Sequence, residues 1–189
     1  MNSRRFLSLF LGLWLGASFF MTLTAITSFG TVKTTLAKPP EELARTIRVL
    51  GEERVRLILR HEAAELNRKL FDVWGYTQVG LAVFLFGFLL FGTREGKLQL
   101  GVAIVVLLLV LGMQFFITPN IIAYGRPLDF LPTDKELELR QRMGTLHSVY
   151  SGLEMVKLAG LGLLAVGLLR ERRVRAAKPA PSLSAGHPA

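Results

Sequence analysis

The chain has 189 residues, about the length of one compact domain, and 51% of it is hydrophobic, with 13 Phe. It has no Cys, which excludes disulfides, thiolate catalysis, thiolate-bound zinc and iron–sulfur ligation. The formal charge of +9 sits in basic blocks beside apolar segments, a placement that fits anionic headgroups and topology signals better than nucleic acid.

A hydrocarbon core about 30 Å thick needs about 20 apolar helical residues, and four segments meet that length. They run over residues 6–32, 70–92, 98–123 and 146–169. In lipid every backbone amide must be paired within the segment, so each is expected to be helical. The expected fold is therefore an all-α four-helix transmembrane bundle, residues 1–175, in a multi-pass integral membrane protein.

Arg4 and Arg5 precede the first apolar segment as they would in a signal peptide, but that segment exceeds the usual stretch of roughly 7–15 residues. No clean Ala-x-Ala site follows it, and the Arg4-Arg5 pair lacks the spacer of a twin-arginine signal. Retention as a first membrane helix is the expectation.

Between the first two spans, residues 39–69 form a polar helical loop. Pro39-Pro40 before Glu41-Glu42 reads as a helix start, with acid at the positive end of the dipole. Leu43, Ile47, Leu50, Val55, Ile58 and Leu59 recur among Arg and Glu, and Gly51 is a candidate bend. The loop is expected to extend the second span out of the membrane; lying on headgroups or docking a protein partner is the alternative. Residues 176–189 are rich in Pro, Ala and Ser and read as a disordered tail.

Dense basic clusters at Arg4, Arg5, Arg94, Lys97, Arg170, Arg172, Arg173, Arg175 and Lys178 favour both termini in the cytoplasm. The long loops then face the other side.

Polar residues enter the spans on that loop side. His147, Tyr150, Glu154 and Lys157 are spaced three, four and three apart, one stripe along the fourth span. A charge within a span costs roughly 2.5–3.5 kcal/mol on an insertion scale, so Glu154 and Lys157 are expected to face the interior and find partners. Because the spans alternate in direction, Asp72 falls near the level of His147, Tyr76 near Tyr150 and Gly80 near Glu154. The third span brings Gln114, Thr118, Pro119 and Asn120 to the same side, and the first brings Thr24, Thr27, Ser28 and Thr31. The opposite half is almost wholly apolar. A pore requires a polar path from end to end, so the pattern describes a one-sided polar pocket or a buried network.

The candidate binding cluster is Asp72, Tyr76, Gln114, Asn120, His147, Tyr150, Glu154 and Lys157. As a site for a small solute, metal cation or proton it assigns Glu154 and Asp72 as acceptors and Lys157 as internal counter-charge. His147 and Tyr150 stand at the gate. As structural glue, the same residues only fix helix register, and the protein serves assembly through its first loop. His61-Glu62-Ala63-Ala64-Glu65 is a metalloprotease-like spacing with Glu in place of the second His, so His61, Glu65 and His147 are weak metal candidates against a solvated helix face. No catalytic motif is present, so no enzyme is expected. No cofactor is implied: a haem held between helices wants two intramembrane histidines, and only His147 qualifies.

These residues also carry a resemblance. Trp14-x-Gly16 with Phe19-Phe20, Pro119-Asn120-Ile121 followed by Arg126, and Leu146-His147 occur in the order seen in the domain-of-unknown-function 4149 family. That family comprises small four-span proteins without an assigned activity and includes eukaryotic transmembrane protein 205. The resemblance covers roughly residues 9–169 and implies the same four-span fold. The chain departs from the family at four positions. It lacks the proline in the later half of the first helix, has Met143 where Phe is usual, and carries Tyr150 and Glu154 where Ser and Asn are usual. A neutral stripe has become a titratable one.

Overall fold

A computed structural model describes residues 3–92, 96–131 and 136–176, with side chains up to residue 168. The expected tail and the basic residue Arg94 lie outside the described residues. Arg170, Arg172, Arg173 and Arg175 lie on a helix whose side chains there are likewise outside the description.

The described chain is all-helical. Helix α1 spans Ser3–Ala37, α2 Glu41–Leu50, α3 Glu52–Phe91 and α4 Lys97–Gly112. A π-helical turn, Met113–Ile117, joins α4 to α5, Thr118–Leu128, and α6 runs Leu137–Ala176. Among the described residues, four helical runs are long and apolar enough to cross a membrane: Ser3–Ala37, Glu52–Phe91, Lys97–Leu128 and Leu137–Leu168. Three of the helical runs overrun the spans expected from composition at both ends, and α3 overruns its span only at its start. With 40 residues, α3 is about 60 Å long, twice the hydrocarbon thickness. It carries the polar stretch before residue 70 and the second candidate span as one rod.

The polar stretch after α1 is helical in two pieces. Pro40 precedes α2, whose first turn holds Glu41 and Glu42. Gly51 sits at φ 84°, a left-handed conformation that breaks the helix between α2 and α3 and that a side chain rarely tolerates. The loop between the third and fourth runs is shorter than the expected 124–145, because α5 continues to Leu128 and α6 begins at Leu137.

Helix α1 packs on α3 and α6, and α4 packs on the same two, so α1 and α4 stand diagonally opposite in a four-membered ring. The buried seams follow alternating steps of three and four: Leu7, Leu11, Trp14 and Ser18 on α1, and Gly75, Gln78, Ala82, Leu85 and Leu89 on α3. Ala103, Val106 and Val110 continue the pattern on α4, and Lys157, Leu161, Leu164 and Leu168 on α6. That spacing is the knobs-into-holes repeat of left-handed bundle packing. The outer surface is apolar where the interior is not: Phe91 is 86% exposed while Lys157 is 0% exposed. A water-soluble fold does the reverse, and large contiguous apolar surface marks contact with membrane or partner.

The seams divide the bundle in two. Leu7, Leu11, Leu85, Leu89, Leu164 and Leu168 belong to one dry core cluster at the end of the bundle where α1 begins. The buried polar residues Ser18, Asn67, Gln78, Gln114, Thr118 and Lys157 lie from mid-bundle toward the other end.

Candidate functional site

Helix α6 places Lys157 at the bundle centre. Its ammonium donates to Glu154 Oε1 at 2.6 Å, one turn back on the same helix, and to Gln78 Oε1 across on α3. Glu154 is the more open partner, its side chain 16% exposed, yet its Oε2 is buried without a hydrogen-bond partner. The i, i+3 spacing on a helix allows the pair to close without bending the backbone.

One turn further along α3, Gln114 reaches across from the π turn. Its Nε2 donates to Asp72 Oδ1 at 3.1 Å, which orients the amide and leaves Oε1 buried and unpartnered. Gly75 makes room for it: a Cβ there would collide with Gln114 Oε1. The π turn has a local cause. Pro119 has no N–H to give to the ladder, and its ring would collide with the carbonyl four residues back, so the preceding turn widens by a residue. Thr118 Oγ1 adds a second donor to the Met113 carbonyl at 3.0 Å.

Between these two groups lies a small, water-sized cavity lined by Gly75, Gln78, Gln114, Thr118 and Tyr150 together with apolar Val110 and Met113. Asp72, Gln114, the cavity, Gln78, Lys157 and Glu154 thus form a continuous polar line. Packing sets their common level. Gly160 faces Val106 and Gly167 faces Gln99, which brings Lys157 level with Val110. Phe6 meets Phe88 at 5.4 Å, Phe10 meets Phe84 at 5.1 Å, and Asn67 Nδ2 donates to Ser28 Oγ at 2.6 Å. These pairings advance in step, so Ser18 and Trp14 of α1 come level with the stretch of α3 around Gln78. Ser18 Oγ and Trp14 Nε1 are also buried without partners.

Of the eight residues singled out from the sequence, the structure brings Asp72, Gln114, Tyr150, Glu154 and Lys157 together. It leaves three outside. Tyr76 is 55% exposed and packs edge-on against Phe115, because the inward seam of α3 uses Gly75 and Gln78. Asn120 is exposed and its Nδ2 donates back to the Phe116 carbonyl in the π turn at 2.6 Å. A single α-helical register carried through Pro119 turns Asn120 inward; the extra residue of the π turn puts Thr118 there instead. His147 is exposed, since Leu146 and Tyr150 take the packed positions on α6. The threonines of α1 do not join either: Thr24, Thr27 and Thr31 bond back to their own helix carbonyls.

Two features escaped the sequence. Gln78 is the acceptor that holds Lys157, and its position on the three-four seam with Gly75 and Ala82 was the signal available. The second is an ionic clasp that precedes the second span and follows the third. His61 Nδ1 meets Asp129 Oδ2 at 2.8 Å, Arg68 bonds to both Asp129 and Glu65, and Arg126 Nη2 reaches Glu65 Oε1 at 2.9 Å. The Arg126 guanidinium first, and that of Arg68 with it, hold the Glu65 carboxyl down at about 2. His61 is thus engaged with Asp129 and Glu65 with the two arginines, His147 lies exposed on α6, and the three do not gather as metal ligands. Among the described residues no group of three or more His, Cys, Asp or Glu could hold a metal ion.

Comparison with family models, curated proteins and solved structures finds no match for this chain.

Proposed function

We propose that the chain is a multi-pass membrane protein without catalytic machinery, whose mid-bundle polar group binds a small hydrogen-bonding solute or a proton entering from the loop face. Both termini lie in the cytoplasm in this reading, with the polar loop and the clasp on the other side. The observation that carries it is Lys157, wholly enclosed in a candidate span and held by Glu154 and Gln78 beside a polar cavity. Ionisable groups at that depth are expensive in lipid and are functional candidates for that reason. The unpartnered Glu154 Oε2 and Gln114 Oε1 favour a ligand over glue, since a purely structural network is most stable when every member is satisfied.

The dry core beyond Lys157 supports access from one face only. With no native Cys, any introduced cysteine is the sole thiol. In sealed vesicles, Tyr150→Cys should react with a membrane-impermeant thiol reagent from the loop face, and Val106→Cys from neither. A Tyr150→Cys that is inert from both faces removes the site. In parallel, the double variant Glu154→Gln/Lys157→Met should keep its folded yield if the pair serves binding.

A structural role is favoured by one specific observation. Helix α2 has no buried residue, and Val49 is 83% exposed beside Arg45 and Arg48. That face suits a docked partner or headgroups, and in that reading the polar line only sets helix register. Membership of the domain-of-unknown-function 4149 family stays a proposal that rests on Trp14, Pro119, Arg126 and Leu146-His147.

A further inference from the structure

Taking the mid-bundle group as a binding site, which rests on the reading above, we propose that its ligand is a single water molecule, bound in the cavity between Gln114, Gln78, Thr118 and Tyr150. Room, polarity and charge each point to it.

Two local features open the room. Gly75 contributes no side chain where Gln114 Oε1 comes in, and the π turn and the residue after it bury Gln114 and Thr118 in the bundle. The space left between them is on the scale of one water molecule, and Val110 and Met113 close it with apolar side chains. A solute with a carbon skeleton needs a wider seam.

The polar groups on the cavity wall call for a molecule that both donates and accepts. Gln114 is 3% exposed, and its Oε1 is a buried acceptor without a partner. Its Nε2 is committed to Asp72, so the amide is not free to turn and offer a donor instead. Gln78 is the converse: its Oε1 accepts from Lys157, which leaves its amide N–H groups to donate. Thr118 gives its hydroxyl hydrogen to the Met113 carbonyl and keeps lone pairs that accept. Water matches this set, with two hydrogens for Gln114 and Thr118 and lone pairs for Gln78, and a buried water needs two to four such partners. Tyr150 adds a phenol that does either. Ser18 Oγ, Trp14 Nε1 and Glu154 Oε2 are also unpartnered, but none of those three residues lines the cavity, so they do not decide its occupant.

Charge excludes ions. Lys157 and Glu154 neutralise each other at 2.6 Å. A cation in the cavity would face the Gln78 N–H groups, with the Lys157 ammonium bonded to the same amide; an anion would face Gln114 Oε1. A neutral occupant leaves the ion pair whole. The water then joins Asp72 and Gln114 to Gln78, Lys157 and Glu154 as one hydrogen-bonded chain, and a network of this kind is strongest when its members are satisfied. Past Lys157 the seam is Leu161, Leu164, Leu85 and Leu89, so the water enters and leaves by the loop face and does not cross.

The test uses the full chain in nanodiscs, with water itself as the probe. Hydroxyl radicals formed by X-ray radiolysis of a bound water oxidise the side chains beside it, and heavy-oxygen water marks the source in the mass spectrum. Met113 is buried on the cavity wall, whereas Met155 is 67% exposed on the outer surface of its span, where lipid excludes water. Met113 and Tyr150 should take up heavy oxygen, and Met155 should not. In Gln114→Leu the Met113 label should be lost, because an apolar cavity stays dry. Val110→Ile fills the cavity without touching a polar group and should abolish the label too, which keeps the test decisive if Gln114→Leu does not fold. Met113 labelled no more than Met155, or labelled as in wild type in either folded variant, overturns the proposal. Its failure is distinguishable from failure of the site. A thiol-reactive Tyr150→Cys with no Met113 label in wild type removes the water and keeps a site open to the loop face. A Met113 label with an inert Tyr150→Cys keeps the water, as a sealed part of the fold, and removes the open site.

Discussion

Lys157 and Glu154 meet at 2.6 Å on one face of α6, yet the lysine has no exposed side-chain surface and the glutamate retains 16%. The asymmetry predicts how the pair responds to substitution. Lys157→Met leaves a carboxylate facing Gln78 Oε1 with no counter-charge, and breaking a buried pair in this way costs about 3–5 kcal/mol. The residual exposure of Glu154 places the value near the lower end. Glu154→Gln/Lys157→Met should cost less than Lys157→Met alone, because removing both charges also removes their desolvation. Reversible unfolding in mixed micelles, arranged as a double-mutant cycle, measures the difference. A double variant less stable than either single variant would contradict the pairing.

Gly75 and Gln114 interlock, and the prediction is a steric one. A methyl at Gly75 lands on Gln114 Oε1, so Gly75→Ala must push the amide off Asp72. The displaced atom ends a flexible side chain, so the cost belongs at the low end for overpacking, about 1 kcal/mol. Truncating the amide should erase it: Gly75→Ala should be neutral or stabilising in a Gln114→Ala background. Equal losses in both backgrounds would mean that Gln114 is not what Gly75 accommodates.

The four apolar runs and their helicity were legible because hydrocarbon leaves the backbone a single way to pair. The register expected from alternating spans was shifted by about one turn, since Tyr150 meets Phe71 and not Tyr76. The convergence of Asp72, Gln114, Glu154 and Lys157 was still legible, because charge must point inward. Azimuth was not. Tyr76 and His147 sit beside the packed Gly75 and Leu146, and Asn120 lies just past the buried Thr118, so a three-four seam discriminates between neighbours that a stripe of polar residues does not. At Asn120 the cause is specific: the proline-linked π turn adds a residue, and no hydropathy pattern records that. The clasp was illegible for another reason. His61 and Asp129 are 68 residues apart, and their meeting depends on α5 running on to Leu128.

The clasp should make stability acid-sensitive. Glu65 has its pKa lowered from 4.5 to about 2 by Arg126 and Arg68, so its folded-state pKa lies below its unfolded value. Its contribution is therefore fully present above 4.5 and is lost as pH falls from 4.5 toward 2. The loss in unfolding midpoint across that window should shrink in Glu65→Gln, and also in Arg126→Met, which removes the larger cause. An undiminished loss in both variants would place the acid sensitivity elsewhere.

Helix α1 is held differently at its two ends. Toward its start, Leu7, Leu11 and Trp14 are buried in the apolar seam. Toward its end, Thr22, Thr24, Thr27, Thr31 and Thr34 turn their hydroxyls onto their own helix, and the bond from Asn67 to Ser28 reaches across to α3. Interhelical hydrogen bonds of this kind average about 0.6 kcal/mol and reach about 1.7 kcal/mol. Ser28→Ala should fall toward the upper value, because it strands the Asn67 amide in a site only 7% exposed. Asn67→Leu in the same background should recover most of the loss by removing the stranded group. Amide exchange should rise over residues 19–37 in Ser28→Ala and stay unchanged over residues 7–14, where the leucine seam still holds. Uniform exchange along the helix would show instead that α1 moves as one rigid rod and that the Asn67 contact adds no anchorage.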